Sequence, residues 1–236
     1  MMERLFCDLH IHSCLSPCGD ALMTPNNIAG MAFIKGLDVI AVCDHNSARN
    51  LPAVKAAADR MNVLLPGMEL TTREEAHMLC YFRTVQACMA FGEAIYAHLA
   101  PTPNNERFFG RQQVMNERDE EIDVEERLLI GALDLPFEVC AARIREAGGL
   151  CVPAHINRGS SGVLGALGFL PQGVHYDALE VSPAAPLTAD VTGYRLLRSS
   201  DAHSLEQMLE REFALEAKTR SVDAVFDAIA GRTQPD

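Results

Sequence analysis

The chain has 236 residues and a formal net charge of −12, with 48% apolar and 22% charged residues. That is the mixture of one folded domain of ordinary size, and it argues against an extended nucleic-acid track, which requires a basic face. No apolar run approaches the roughly 18 residues of a membrane span, and MMERLFCDLH lacks the basic start and apolar core of a signal peptide. A cytoplasmic protein with no membrane partner is expected.

In chain order, the stretch ending in DLHIHS (Asp8–Ser13) reads as a first strand. TPNNIAGMAFIKG is a helix, with Thr24 as N-cap, Pro25 at the first position, Ile28, Met31 and Ala32 on one face, and Gly36 at the end. LDVIAVCDH is a buried strand, LPAVKAAADRM (51–61) a helix, NVLLPGMEL and HMLCYF strands, and Val85–Leu99 a helix. NERDEEIDVEER (Asn116–Arg127) packs seven acids and two arginines into twelve residues. It reads as a solvated helix or loop face, or as a lid within an insertion at about 100–130. PFEVCAARIREAGG is a helix, LCVPAH and DALEVSP are strands, and YRLLRSSDAH carries the last strand of the group. SLEQMLE opens with Ser204 and Gln207 in capping-box spacing, and SVDAVFDAIAG closes as a helix. Alternating strands and helices imply an α/β protein with a parallel sheet or barrel.

The eight cysteines are scattered, several within strand-like runs (Cys43, Cys80, Cys151), and read as reduced small hydrophobes. Cys14 and Cys18 are close together, but C-x3-C is a poor zinc or redox spacing.

The strand ends carry unusual polar company. His10 and His12 are two apart, so both imidazoles leave the same face of the strand. The next strand ends in Asp44–His45, a third in Glu69, another begins with His77, LCVPAH ends in His155, and the last ends in Asp201 and His203. Six strand ends thus present nine metal-capable side chains. In a barrel, strand ends and the loops after them converge on one face. Histidine with carboxylate suits zinc, manganese or iron, with no cysteine needed. His98, on a helix, and His175, in a Gly-rich loop, read as hydrogen-bonded surface or core residues.

DLHIHS, CDHNS, GMEL, AHMLCYF, PAHINR and SSDAHS, in this order, resemble the PHP (polymerase and histidinol phosphatase) family over most of the chain, from about Asp8 to about Ser204. The resemblance implies one domain over 1–236, a distorted, TIM-like, seven-stranded (β/α) barrel, with two to three divalent ions. One ion would be held by His10, His12, Glu69 and Asp201. Glu69 would bridge to a second, held also by His77 and His155. A third would take His45, His203 and an aspartate from the loop after the first strand. Counting back from the helix start gives Asp20 for that aspartate, whereas counting forward from His12 comes nearer Cys18; Asp20 is the expected ligand. Asp8 and Asp44 are expected to orient ligating imidazoles by accepting their other N–H. Arg158, spaced from His155 as in the nucleotide-phosphatase branch, would face substrate phosphate. Glu180 resembles a family glutamate that packs beneath the site.

The implied activity is metal-dependent hydrolysis of a small phosphomonoester such as a nucleotide, by attack of a metal-bridging hydroxide, with catalytic roles for Glu69, Arg158 and His203. The acidic balance implies a small phosphorylated substrate and no long nucleic acid. A metal-dependent amide hydrolase and a non-catalytic metal-binding module are the alternatives.

Overall fold

The computed structural model describes residues 2–59 and 61–232. Strand β1 (Glu3–Ile11) is followed by helix α1 (Pro25–Ile34), β2 (Val39–Val42), α2 (Leu51–Ala58), β3 (Val63–Leu64), β4 (Gly67–Thr71), β5 (His77–Tyr81) and α3 (Val85–Tyr96). Next come a short helix α4 (Glu106–Phe109), strands β6 (Gln113–Met115) and β7 (Glu121–Val124), α5 (Phe137–Glu146) and β8 (Leu150–Pro153). The chain then forms α6 (Val163–Leu167), β9 (Leu179–Glu180), β10 (Leu196–Leu197), β11 (Ala214–Ala217) and α7 (Val222–Ile229). The expected helix over 51–61 ends at Ala58, and Arg60 lies outside the described residues. Pro25 opens α1 as expected, though the Thr24 side chain does not cap it and bonds Asp119 instead.

The fold is mixed α/β, but its strands form small sheets rather than one continuous closed barrel. One sheet runs β11-β1-β2-β3, another β4-β5-β8, and β9–β10 and β6–β7 pair separately. The expectation of parallel strands holds for β1–β2, β2–β3 and β9–β10, while β4–β5 and β5–β8 are antiparallel. The reason is local. Only residues 72–76 separate β4 from β5, too few for the crossover that a parallel pair needs. Single bridges join the sheets, His45 to Glu69 and Ile11 to Ala202, and Ile156 N–H donates to the Glu180 carbonyl at 2.9 Å.

The central strands are buried on both faces. Ile40 and Val42 of β2 and Met78 and Cys80 of β5 enter a core with Ile28 of α1, Phe91 of α3 and Ile144 of α5. The alternate residues Val39, Ala41, Leu79 and Tyr81 join Leu9, Val152 and Phe226 of α7 in a second core. This is period-two alternation with apolar residues on both sides. All eight cysteines are free, and only Cys18 is exposed.

The acidic stretch is neither helix nor plain loop. It contains β7, paired antiparallel with β6, as the polar–apolar alternation of Glu121-Ile122-Asp123-Val124 directs. Its acids are largely paired: Arg111 with Glu121, Arg118 with Glu120, and Arg49 with both Asp123 and Glu125. Asp119 accepts hydrogen bonds from Thr24 Oγ1 at 2.6 Å and Asn26 N–H at 3.1 Å, which fastens the hairpin to the start of α1.

Gly67 marks a close approach between sheets. A Cβ there would stand 2.7 Å from Cys43 Sγ and 3.0 Å from the Tyr81 ring. Gly67→Ala is therefore expected to lower unfolding stability by about 1–3 kcal/mol through overpacking. Urea denaturation checks this, and an unchanged midpoint would show that the sheets separate at no cost.

Candidate metal centre

Glu69, in the middle of β4, has a fully buried side chain at 0% exposure. Five imidazoles face its carboxylate: His10 Nε2 at 3.4 Å, His12 Nε2 at 3.4 Å, His45 Nδ1 at 3.0 Å, His77 Nδ1 at 2.9 Å and His155 Nε2 at 3.2 Å. In the order His10, His12, His45, His77, His155 and back to His10, the ring centroids lie 5.0, 4.6, 5.2, 5.3 and 5.8 Å apart. The imidazoles close a circle around one carboxylate. His203 stacks on His12 at 4.3 Å. Asp201 Oδ1 lies 3.3 Å from His10 Nε2 and 3.0 Å from His12 Nε2. Residues spread from His10 to His203 are thereby brought together by the ends of β1, β2, β4, β5 and β8 and the segment after β10.

Burial raises the Glu69 pKa, yet the imidazoles of His77, His10 and His45 outweigh it and hold the carboxyl well below its ordinary range. Asp201 is likewise lowered against burial, by His10 and His12. Burial, with His45 and His203 nearby, pushes His12 well below its usual value. Burial opposes but does not overcome the carboxylates around His10, chiefly Glu180, Glu69 and Asp201, which raise it. Ionised carboxylates beside imidazole lone pairs are the states that bind cations. The centre also holds buried polar atoms with no hydrogen-bond partner among the described residues: Glu69 Oε2, His45 Nδ1 and His155 Nδ1. Such atoms are costly unless something satisfies them, and divalent ions fit this donor set.

Three groups have ligand atoms all within 4.8 Å of one another: His10, His12 and Asp201; His45, Glu69 and His77; and His12, Cys18, His45 and His203. The Asp20 carboxylate joins none of these groups, although its backbone N–H donates to the His203 carbonyl at 2.8 Å. The residue is exposed, and its carboxylate accepts from Leu22 N–H at 2.7 Å. A tight turn explains this, with Ser16 N–H donating to the Ser13 carbonyl at 3.1 Å and Gly19 N–H to the Ser16 carbonyl at 2.9 Å. The turn folds Cys18 back over the centre and sends Asp20 on towards α1. Gly19 is required for the approach, since a Cβ there would meet Ser13 O at 2.3 Å.

The orienting contacts differ from those expected. Neither Asp8 nor Asp44 touches an imidazole. Asp8 accepts from Ser200 N–H at 3.0 Å, Ser200 Oγ at 2.6 Å and Leu209 N–H at 2.9 Å, which fixes the loop that carries Asp201. Asp44 accepts from Ser13 N–H and Oγ, and from Ser16 Oγ at 2.6 Å. Ser16 Oγ in turn lies 2.9 Å from His12 Nδ1. Asp44 therefore acts on His12 through a hydroxyl, which sets the proton on Nδ1 and frees Nε2. Glu180, expected only to pack beneath the site, lies 3.0 Å from His10 Nδ1 and accepts from His155 N–H at 2.9 Å. The resemblance places Glu180 beneath the site but without its imidazole contact, and Ser16 carries no short-range motif that would single it out; its position becomes meaningful only once the strands converge.

Arg158 reaches the centre through a half-buried guanidinium whose Nη1 pairs with Asp201 Oδ2. Asn46, His155 and Asp201 have positive φ of 48°, 26° and 53°. Non-glycine residues adopt that region at a cost and concentrate where the surroundings impose it. His98 pairs with Asp134 and His175 with Asp177, outside the circle.

Two outcomes follow from these contacts. Ser16→Ala is expected to weaken metal binding about 10–100-fold, the usual effect of losing an outer-shell partner, as read by calorimetric metal titration; unchanged affinity would mean that His12 needs no such support. Glu69→Gln is expected to lower bound metal, measured by elemental analysis, by more than His77→Ala does. Equal losses would argue against a carboxylate shared between ions.

No protein-family model matches the chain. A 5'-3' exoribonuclease from Haemophilus influenzae is 32% identical over 69 residues, which is 29% of this chain and 24% of that protein. Among solved structures, the lesion-specific endonuclease Q from Pyrococcus furiosus superposes with a TM-score of 0.72 at 22% identity, covering 98% of this chain and 57% of that one. Endonuclease Q in complex with a 27-mer duplex bearing an abasic lesion gives a TM-score of 0.70. An amidohydrolase from Chromobacterium violaceum gives a TM-score of 0.62 at 18% identity, with 96% of each chain covered. A two-domain protein from Bacteroides vulgatus, described as containing a predicted PHP-like metal-dependent phosphoesterase, gives 0.55 at 16% identity, covering 98% of this chain and 64% of that one. The chain thus spans little more than half of endonuclease Q and about a quarter of the exoribonuclease. Since a protein of this fold takes a duplex substrate, the exclusion of long nucleic acid drawn from net charge does not stand. Total charge misleads because it is summed over the whole chain and does not say which face is acidic; within the hairpin, Glu120, Glu121, Asp123 and Glu125 are held in ion pairs by Arg118, Arg111 and Arg49. The chain shares its fold with endonuclease Q and with a protein described as containing a predicted PHP-like metal-dependent phosphoesterase, the fold that the resemblance of the six motifs implies.

Proposed function

We propose that the chain is a metal-dependent phosphoesterase that hydrolyses phosphodiester bonds in nucleic acid. The observation that carries the reading is the buried Glu69 carboxylate enclosed by five imidazoles. The likeness to endonuclease Q and to part of an exoribonuclease supports the substrate class.

His10, His12, Glu69 and Asp201 would hold one ion, Glu69, His77 and His155 a second, and His45 and His203 take part in a third. Divalent ions in such a site supply an activated water and offset charge on the phosphate oxygens. The chain's own residues do the rest. Glu180 and Ser16 fix the His10 and His12 rings through their Nδ1 atoms. The His203 Nδ1–H donates to the Asp201 carbonyl at 2.8 Å, which leaves its Nε2 to the centre. Arg158 spends Nη1 on Asp201 and keeps further N–H donors of its planar fork for phosphate oxygens. The likeness to an amidohydrolase favours amide hydrolysis as the second reading, under which Arg158 would have no phosphate to meet.

The test is cleavage of end-labelled single-stranded, duplex and abasic-site oligonucleotides and of an amide ester panel, with and without added divalent metal. Metal-dependent cleavage of an oligonucleotide, abolished in His10→Ala, is expected. Amide hydrolysis without phosphodiester cleavage would overturn the proposal. Arg158→Ala is expected to retain metal but lose on the order of 2–4 kcal/mol of transition-state stabilisation in kcat/KM. An unchanged rate would remove Arg158 from the site.

A further inference from the structure

We propose that Cys18 is a metal ligand: its thiolate joins His45 and His203 around the third ion and makes that position selective for zinc. The proposal rests on the metal-dependent reading above and adds to it a sulfur ligand that the sequence motifs do not contain.

Placement comes first. Of the eight cysteines only Cys18 is exposed, and it alone stands in a ligand-like group, with His12, His45 and His203, all ligand atoms within 4.8 Å of one another. The loop is held there by backbone bonds rather than by the thiol. Asp20 N–H donates to the His203 carbonyl at 2.8 Å and Cys14 N–H to the Met23 carbonyl at 2.9 Å. Gly110, after α4, closes on Pro17, whose carbonyl a Cβ would meet at 2.8 Å. The carboxylate of Asp20, two residues on, accepts from Leu22 N–H and stands in none of the ligand-like groups.

The histidines of the group are unequally free. His12 is committed elsewhere, its Nδ1 to Ser16 Oγ and its Nε2 beside Asp201 and His10. His203 has Nδ1 fixed by the Asp201 carbonyl, so its Nε2 lone pair is available. His45 is buried at 2% exposure; its Nδ1 lies 3.0 Å from Glu69 Oε2 without making a hydrogen bond, and the residue belongs both to this group and to that of Glu69 and His77. Cys18, His45 and His203 would then be the three protein ligands of the third ion. Three protein ligands rather than four are the pattern of a catalytic zinc site. On binding, the S–H bond breaks, the proton leaves to solvent and the sulfur–metal bond forms. Thiolate favours zinc over manganese, whereas the oxygen and imidazole ligands around Glu69 accept either.

The experiment uses the full chain stripped of metal, reloaded with cobalt(II) or zinc, as wild type, Cys18→Ser and Asp20→Ala. Wild type and Asp20→Ala should show a near-ultraviolet thiolate-to-cobalt charge-transfer band that Cys18→Ser lacks. Elemental analysis after loading in mixed zinc and manganese should find Cys18→Ser short of about one zinc per chain, with Asp20→Ala unaffected. The Cys18 thiol should react with a disulfide reagent in the stripped protein and be protected when zinc is bound. Cobalt bound without the band, or an undiminished zinc count in Cys18→Ser, overturns the sulfur ligand and leaves the phosphoesterase reading standing. Failure of the wild type to bind any metal overturns both.

Discussion

A carboxylate with no access to water sits at the middle of this protein, and its neighbours are imidazoles. Burying an ionised carboxyl without compensation costs several kcal/mol, so the Glu69 side chain dictates what may surround it. Compensation comes from His10, His12, His45, His77 and His155. They cannot all donate to one carboxylate, and Glu69 Oε2 is left without a hydrogen bond. Divalent cations would complete that arrangement, since each can accept lone pairs from imidazoles and carboxylate together. The outer contacts then make sense as a set. Glu180 and the Asp44–Ser16 pair fix which nitrogen of His10 and His12 faces inward, and the Asp201 carbonyl does so for His203.

The architecture serves that cluster. At the site the sheets are joined by single bridges, Glu69 with His45 and Ile11 with Ala202, while Glu69 and His77 themselves sit in the β4–β5 ladder. Left-handed backbone at Asn46, His155 and Asp201 occurs at the same strand ends. Rigid, doubly buried strands on either side supply the support that such strained residues need. Apolar alternation sets the fold, while the candidate ligands lie near strand ends at His10, His12, His45, His77 and His155 and, in the one case of Glu69, in the middle of a strand.

Much of the centre was legible from the chain itself. His10 and His12 share a face because strands have period two, and the accumulation of His45, Glu69, His77, His155, Asp201 and His203 at strand ends was visible without coordinates. What was not legible depended on loops and on distance in sequence. Cys18 is the alternative to Asp20 at the third ion, and counting back from the start of α1 favours Asp20; the turn over Ser13–Gly19 instead brings the Cys18 thiol beside His12, His45 and His203. Asp8 and Asp44 were assigned direct contacts that belong to Glu180 and Ser16, because strand-end position does not fix side-chain direction. The hairpin of β6 and β7 was obscured by its charge, which drew attention away from the alternation within it. The same charge suggested repulsion of nucleic acid, although Arg49, Arg111 and Arg118 hold part of it in ion pairs.

Anomalous diffraction from crystals of the full chain grown with excess zinc or manganese is the most direct test of the central claim. Two peaks in bonding contact with the Glu69 carboxylate are expected, one beside His10, His12 and Asp201 and one beside His77 and His155. A map with the imidazole circle intact and no anomalous peak at Glu69 would contradict the account.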